Sequence, residues 1–287
     1  MRIAARGTRF ALGVEDGAPT ISVRLSSDFW LDSTEVTVER YAAHLRARGS
    51  TELRSSITVA YPGATVVVSA PTDLQPGRGG DCNWDAAGRE VHPLNCVSWS
   101  AAMVFCAESG GRLPTEAEYA WVARYRMNAA NGISPFPWGA RDPRADRMDG
   151  GVYCDLAHRS AEGAQGSTCD FAESRAIVKN GGKTAPVRSF APEPRDVYDL
   201  VGNVAEWSAD RYVDLNSATR DCFTGEGELL DPLCETANST VDVHAYFGGD
   251  YRADNAYSLY TYKRGRLYNG DPLLPPWVGF RCVYPAL

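Results

Sequence analysis

Four groups of side chains in this 287-residue chain have types and spacings that chemistry could use. The first is sulfur. Eight cysteines stand at 82, 96, 106, 154, 169, 222, 234 and 282, with no Cys-x-x-Cys pair. Only four histidines accompany them, none spaced as a ligand pair, so zinc sites account for them poorly. Disulfides account for them better. Of the roughly 105 connectivities open to eight cysteines, closure of short polar loops favours Cys82–Cys96, Cys154–Cys169 and Cys222–Cys234, leaving Cys106 for Cys282. Each short loop closed adds about 3 kcal/mol in the chain-entropy model. The second group is oxygen. Along Asp199-Leu-Val-Gly202-Asn-Val204-Ala-Glu206, two carboxylates flank a Gly-Asn turn signal. The same residues fit a turn about Gly202-Asn203 in which Asp199 and Glu206 cap or pair locally. The third group is titratable: Asp250, Asp254, Lys263 and Arg264 lie close in sequence and are the local candidates for acid–base work. His244 with Asp250 and Asp254 is a weaker metal combination, since charges flanking a turn are usually only solvated. His92 and His158 are isolated, and a lone loop histidine is more often hydrogen-bonded than metal-bound. The fourth group is aromatic. Tyr246, Tyr251, Tyr257, Tyr260, Tyr262 and Tyr268 crowd one stretch, and tyrosines give large rigid contact area at low entropic cost. The alternation Tyr260-Thr-Tyr262 equally fits strand packing.

The elements that must position these groups are legible mainly in the first half. Short apolar alternations at Arg9–Leu12 and Ile21–Leu25, ending at Phe29-Trp-Leu31, predict a hairpin of half-buried strands. Thr37 is placed to cap a helix through about Arg48 with Tyr41 and Leu45 on one face. A second helix starts after Ser98, carries Ala102, Phe105 and Cys106 inward and stops at Gly110-Gly111. Thr115 and Glu118 form a capping-box pattern that opens a third helix to about Tyr125. Beyond it the periodicity fades into loops and short Tyr-rich strand candidates, a length of irregular chain that disulfides and bound metal would have to hold. No linker divides residues 1–287, which are expected to form one domain. A formal charge of −7 with scattered Lys and Arg gives no field for phosphate backbones, so nucleic acid is not an expected partner. No apolar run approaches the roughly 20 residues that span a bilayer. Disulfides imply an oxidising compartment, secreted or in the cell envelope, although Met1–Phe10 lacks an apolar signal core; a signal upstream or already removed is the expectation.

Eight islands occur in one order: Glu35-Val-Thr37, Pro93-Leu-Asn-Cys-Val-Ser-Trp99, Arg112 to Glu118, Pro137-Trp-Gly139, Ala185-Pro-Val187, Tyr198 to Trp207, Gly248-Gly-Asp250 and Gly279-Phe-Arg281. Together they resemble the formylglycine-generating enzymes, or sulfatase-modifying factors, over nearly the whole length. The resemblance implies that family's loop-rich α+β, C-type-lectin-like fold, and it implies calcium at Asp199, Gly202, Val204 and Glu206. It also implies the Cys106–Cys282 pairing. Active members carry a Gly-Gly-Ser followed by two cysteines five residues apart, whose thiolates hold Cu(I), a soft ion suited to sulfur. That copper, with dioxygen, oxidises a substrate cysteine to formylglycine. Here the serine position holds Asp250 and the cysteine positions hold Ala253 and Ser258, so no copper site is expected. The His-x-x-x-His-x-Glu element of related iron oxidases is missing as well.

The expectation is therefore a secreted, disulfide-stapled, calcium-bearing and non-catalytic binding module, monomeric, with no residue in a catalytic role. Its pocket would be formed by Tyr251, Asp254, Tyr257 and Arg264, for a peptide, glycan or small molecule. The alternative is an enzyme of the same family, a metal-dependent oxidase or other, with altered chemistry on a peptide or small molecule. A purely structural envelope domain is the third reading, and the sequence does not separate it from the first.

Overall fold

The computed structural model describes residues 1–12, 20–124, 137, 184–189, 196–217, 222–224, 227–235, 241–252, 260–270 and 273–286. The elements in chain order are β1 (Arg2–Ile3), β2 (Arg9–Leu12), β3 (Ile21–Arg24), β4 (Phe29–Leu31), α1 (Val38–Arg48), β5 (Glu52–Leu53), β6 (Ile57–Tyr61) and β7 (Ala64–Val68). There follow β8 (Thr72–Asp73), α2 (Trp99–Glu108), α3 (Glu116–Arg124), β9 (Ala205–Arg211), β10 (Leu229–Leu230), β11 (Val243–Phe247), β12 (Gly265–Tyr268), β13 (Val278–Gly279) and β14 (Val283–Pro285).

Local chemistry sets the helix ends. The Thr37 hydroxyl accepts from the Arg40 amide at 3.3 Å, and α1 buries Val38, Tyr41 and Leu45 before Gly49 closes it in the left-handed region (φ 70°). Ser98 caps α2 through the Ala101 amide at 3.1 Å. From Trp99 to Cys106 α2 is buried on all sides, so it runs through the core instead of lying on it. Both bonds of the expected capping box are present: the Glu118 amide donates to Thr115 Oγ1 (3.1 Å) and the Thr115 amide donates to Glu118 Oε2 (2.9 Å).

The expected N-terminal hairpin is β2 against β3, with Phe10 opposite Val23, while β4 leaves it to pair with β1 and β14. A four-stranded sheet, in the order β12-β11-β9-β13, joins β13 to β9 in parallel and the rest antiparallel. One hairpin was not anticipated: β6 and β7, joined by Pro62-Gly63, stand as a separate two-stranded sheet. Conversely, Tyr260-Thr-Tyr262 is a turn and not a strand, and its two tyrosine rings stack on each other at 4.8 Å. One core gathers Tyr41, Phe105, Trp207 and Phe280 around α1, α2 and the large sheet; a second gathers Phe10, Val23, Tyr119 and Phe247 around α3 and the N-terminal strands.

Candidate functional site

The loop before β9 turns through three left-handed residues, Asp199 (φ 55°), Gly202 (φ 93°) and Asn203 (φ 55°). It delivers Glu206 to the protein interior, where Arg281, just past β13, meets both carboxylate oxygens at 2.6 and 2.7 Å. Asn203 Nδ2 donates to Glu35 Oε1 at 3.0 Å, bringing in a carboxylate from the segment before α1. Glu35, Asn203, Glu206 and Arg281 are each at most 2 % exposed. The other oxygen of Glu35 is buried without a hydrogen-bond partner. Burial, then the charges of Asp199 and Glu206, hold the Glu35 carboxyl well above the usual carboxylate range, against the opposing pull of Arg281. Burial also raises Glu206, an effect Arg281 opposes. Burial alone would weaken the charge of Arg281, and Glu206 more than restores it. Glu35 and Glu206, both fully buried, thus lie in the field of one guanidinium where water is excluded, an arrangement that proteins balance with a proton or a cation.

These residues fit a hard cation in donor type: the orphaned carboxylate oxygen of Glu35 is an oxygen ligand without a partner, beside the turn at Gly202–Asn203. Side chains alone do not make a cage, because no group of three or more His, Cys, Asp or Glu among the described residues has liganding geometry. Any ion here would depend on backbone carbonyls. Glu35 escaped the sequence reading of this site, although it begins the Glu35-Val-Thr37 island; its partner Asn203 is 168 residues away.

The Gly248-Gly-Asp250 segment docks against the same loop through the Gly202 amide, which donates to the Gly248 carbonyl at 2.8 Å. A Cβ on Gly248 would lie 2.8 Å from the Leu200 carbonyl oxygen, so only glycine allows this approach. Asp250 is held by Arg252 at 2.7 and 3.1 Å, and the guanidinium lies over the Trp277 ring at 3.6 Å. Tyr251 is 2 % exposed, its hydroxyl lacks a partner, and burial pushes its pKa up to about 12. Arg264 is interior too, donating to Glu116 and to the Val213 carbonyl, both at 2.7 Å. Tyr251 and Arg264 are therefore both packed inward. Asp254, Tyr257, Ala253 and Ser258 lie outside the described residues, as do Cys154 and Cys169.

His244 does not join Asp250. It sits near the start of β11, at the other end of that strand from Gly248, buried, stacked on Trp99 at 3.6 Å and 3.0 Å from Asp242. His92 is also internal, 3.0 Å from the Thr184 hydroxyl. The six cysteines within the described residues form Cys82–Cys96, Cys106–Cys282 and Cys222–Cys234, as expected.

A loop-rich, disulfide-stapled α+β scaffold, with this buried charge cluster beneath a Gly-Asn turn, defines a formylglycine-generating-enzyme-like domain. The chain belongs to the sulfatase-modifying factor enzyme 1-like domain family, which it matches over residues 2–286. It is 26% identical over 320 residues to a formylglycine-generating enzyme of Thermomonospora curvata, covering 99% of this chain and 93% of that one. It is 31% identical over 168 residues to an inactive C-alpha-formylglycine-generating enzyme 2 of Bos taurus, covering 57% of this chain and 48% of that one. In fold it is similar to PvdO from Pseudomonas aeruginosa, with a TM-score of 0.58 at 21% identity over 99% of this chain and 94% of that one. Among the described residues no helix is long and apolar enough to cross a membrane.

Proposed function

We propose that this protein is a secreted, non-catalytic ligand-binding member of its family, without the copper-thiolate oxidase site and with calcium at the Asp199–Glu206 loop. The observation that carries this reading is the state of sulfur. All six described cysteines are spent in disulfides, and the positions of the family's copper thiolates hold Ala253 and Ser258 in the sequence. Alanine has no donor atom, and a hydroxyl is a poor ligand for a soft ion. The Asp250–Arg252 clamp at the family's serine position supports the same conclusion. Asp199, Gly202, Val204 and Glu206, together with the unpaired oxygen of Glu35, are the groups assigned to calcium, which would neutralise the excess carboxylate charge.

Two readouts test the two parts. Titration of thiols in denaturant without reductant is expected to find none in the secreted protein; a reactive pair per chain would contradict the sulfur argument. Calcium at about a hundred times its dissociation constant should stabilise the fold by about 2.7 kcal/mol over chelator-treated protein. Glu35→Gln should shrink that increment. An increment of zero would remove calcium from the account.

A further inference from the structure

We propose that a recognition site lies at the far end of β11 from Gly248: a groove along the free edge of β7 that takes an extended peptide as an added strand. The groove holds about 530 Å³, within the roughly 300–1,000 Å³ of ligand sites. Five consecutive residues, Thr65 to Ser69, form one wall. Side chains of a strand alternate between faces, so consecutive residues can line a groove only if the backbone edge faces it. β7 pairs with β6 alone, and its backbone makes no other hydrogen bond among the described residues. Antiparallel pairing alternates, which leaves the N–H and C=O of every second β7 residue directed into the groove. Among the described residues nothing blunts this edge. Ala64–Val68 contains no Lys or Pro, the register from Ile57↔Val68 to Tyr61↔Ala64 has no bulge, and Val67 is 57% exposed.

The opposite wall is rigid and polar. The Trp99 and His244 rings are stacked, Asp242 bonds His244, Arg211 (2.8 Å) and Asn269 (2.7 Å), and burial favours the neutral form of His244. Asp242 neutralises Arg211. The uncommitted charge of the groove is Glu235, exposed and without an ion pair among the described residues. The occupant that fits is a peptide of alternating side chains that bonds β7 through its backbone and turns a Lys or Arg toward Glu235. The edge of β6 lines another cavity, of about 540 Å³, but its charges are already used: Arg112 by Glu118, Asp28 by Arg2, and Asp231 by the Ser26 amide. Nothing there is left to select a ligand.

The test is selection of a phage-displayed random heptapeptide library on the intact, disulfide-bonded chain, then anisotropy titration of the enriched peptide. N-methylating alternate residues of the peptide in one register should weaken binding at least tenfold, while the other register should change it less than twofold. Glu235→Gln should weaken binding severalfold and flatten its salt dependence, and amides of β7 should gain exchange protection. Failure to enrich any peptide, indifference to N-methyl register, or protection confined to 248–252 would each overturn the groove. None of these outcomes would bear on the copper argument, which rests on other residues.

Discussion

Arg281 donates to both oxygens of Glu206 and to the carbonyls of Asp32, Tyr198 and Asp199, all from a side chain that is 1 % exposed. Replacing it by Met would leave Glu206 and its carboxylate neighbours uncompensated in the interior. In chelator-treated protein Arg281→Met is therefore expected to cost at least about 3–5 kcal/mol in urea denaturation; a loss under about 1 kcal/mol would mean that water already screens the cluster. A second buried acid sets a pH dependence. Asp210 accepts from the amides of Cys234 (2.7 Å) and Glu116 (2.7 Å) and from the Ser208 hydroxyl (2.9 Å). Burial, then the charge of Glu116, push its pKa up to about 7. The folded state thus binds this proton more tightly than the unfolded chain, whose Asp titrates near 3.9. The stability contributed is complete below about pH 4, falls as pH rises toward 7 and stays lost above it, a change of a few kcal/mol. The stability of wild type minus that of Asp210→Asn should shrink by that amount between pH 4.5 and 7.5. A difference that does not vary with pH would refute the assignment.

At the scale of elements, the disulfides differ in reach. Cys106–Cys282 ties α2 to the C-terminal strands across a separation of 176 residues, while Cys82–Cys96 and Cys222–Cys234 close 14 and 12. The chain-entropy model gives about 5 kcal/mol for the long loop and about 3 for each short one. Paired Cys→Ala variants should lose stability in that order, with an added cavity cost for Cys106 and Cys282, which are fully buried. A Cys106/Cys282 variant no less stable than the Cys82/Cys96 variant would contradict the ranking. The three helices were legible because capping is local: Thr37, Ser98 and the Thr115–Glu118 pair each act within three residues of themselves. Strand partners were not. The parallel pairing of β13 with β9 depends on contacts made across most of the C-terminal third. The β6–β7 hairpin was legible in principle, since Ile57-Thr-Val-Ala-Tyr61 alternates and Pro62-Gly63 marks a turn.

At the scale of the whole molecule, the family's islands converge although the sequence scatters them. Glu35-Val-Thr37 meets Gly202-Asn203 through Glu35 and Asn203; Glu206 meets Gly279-Phe-Arg281 through Arg281; Gly248 meets Gly202 through the backbone. Charged residues in a sequence read as surface, and only the fold reveals that Glu35, Glu206 and Arg281 are the polar centre of the core. The pocket residues were the least legible part. Tyr251 enters the expected pocket through the crowding of tyrosines and Arg264 as a titratable side chain, and the fold packs both inward. The central claim is that this scaffold has parted from copper oxidation. Its most direct test is oxygen uptake by Cu(I)-treated protein given a cysteine-containing peptide, with retained copper counted per chain. The account predicts no retained copper and no uptake above the peptide alone; one copper per chain with sustained turnover would contradict it.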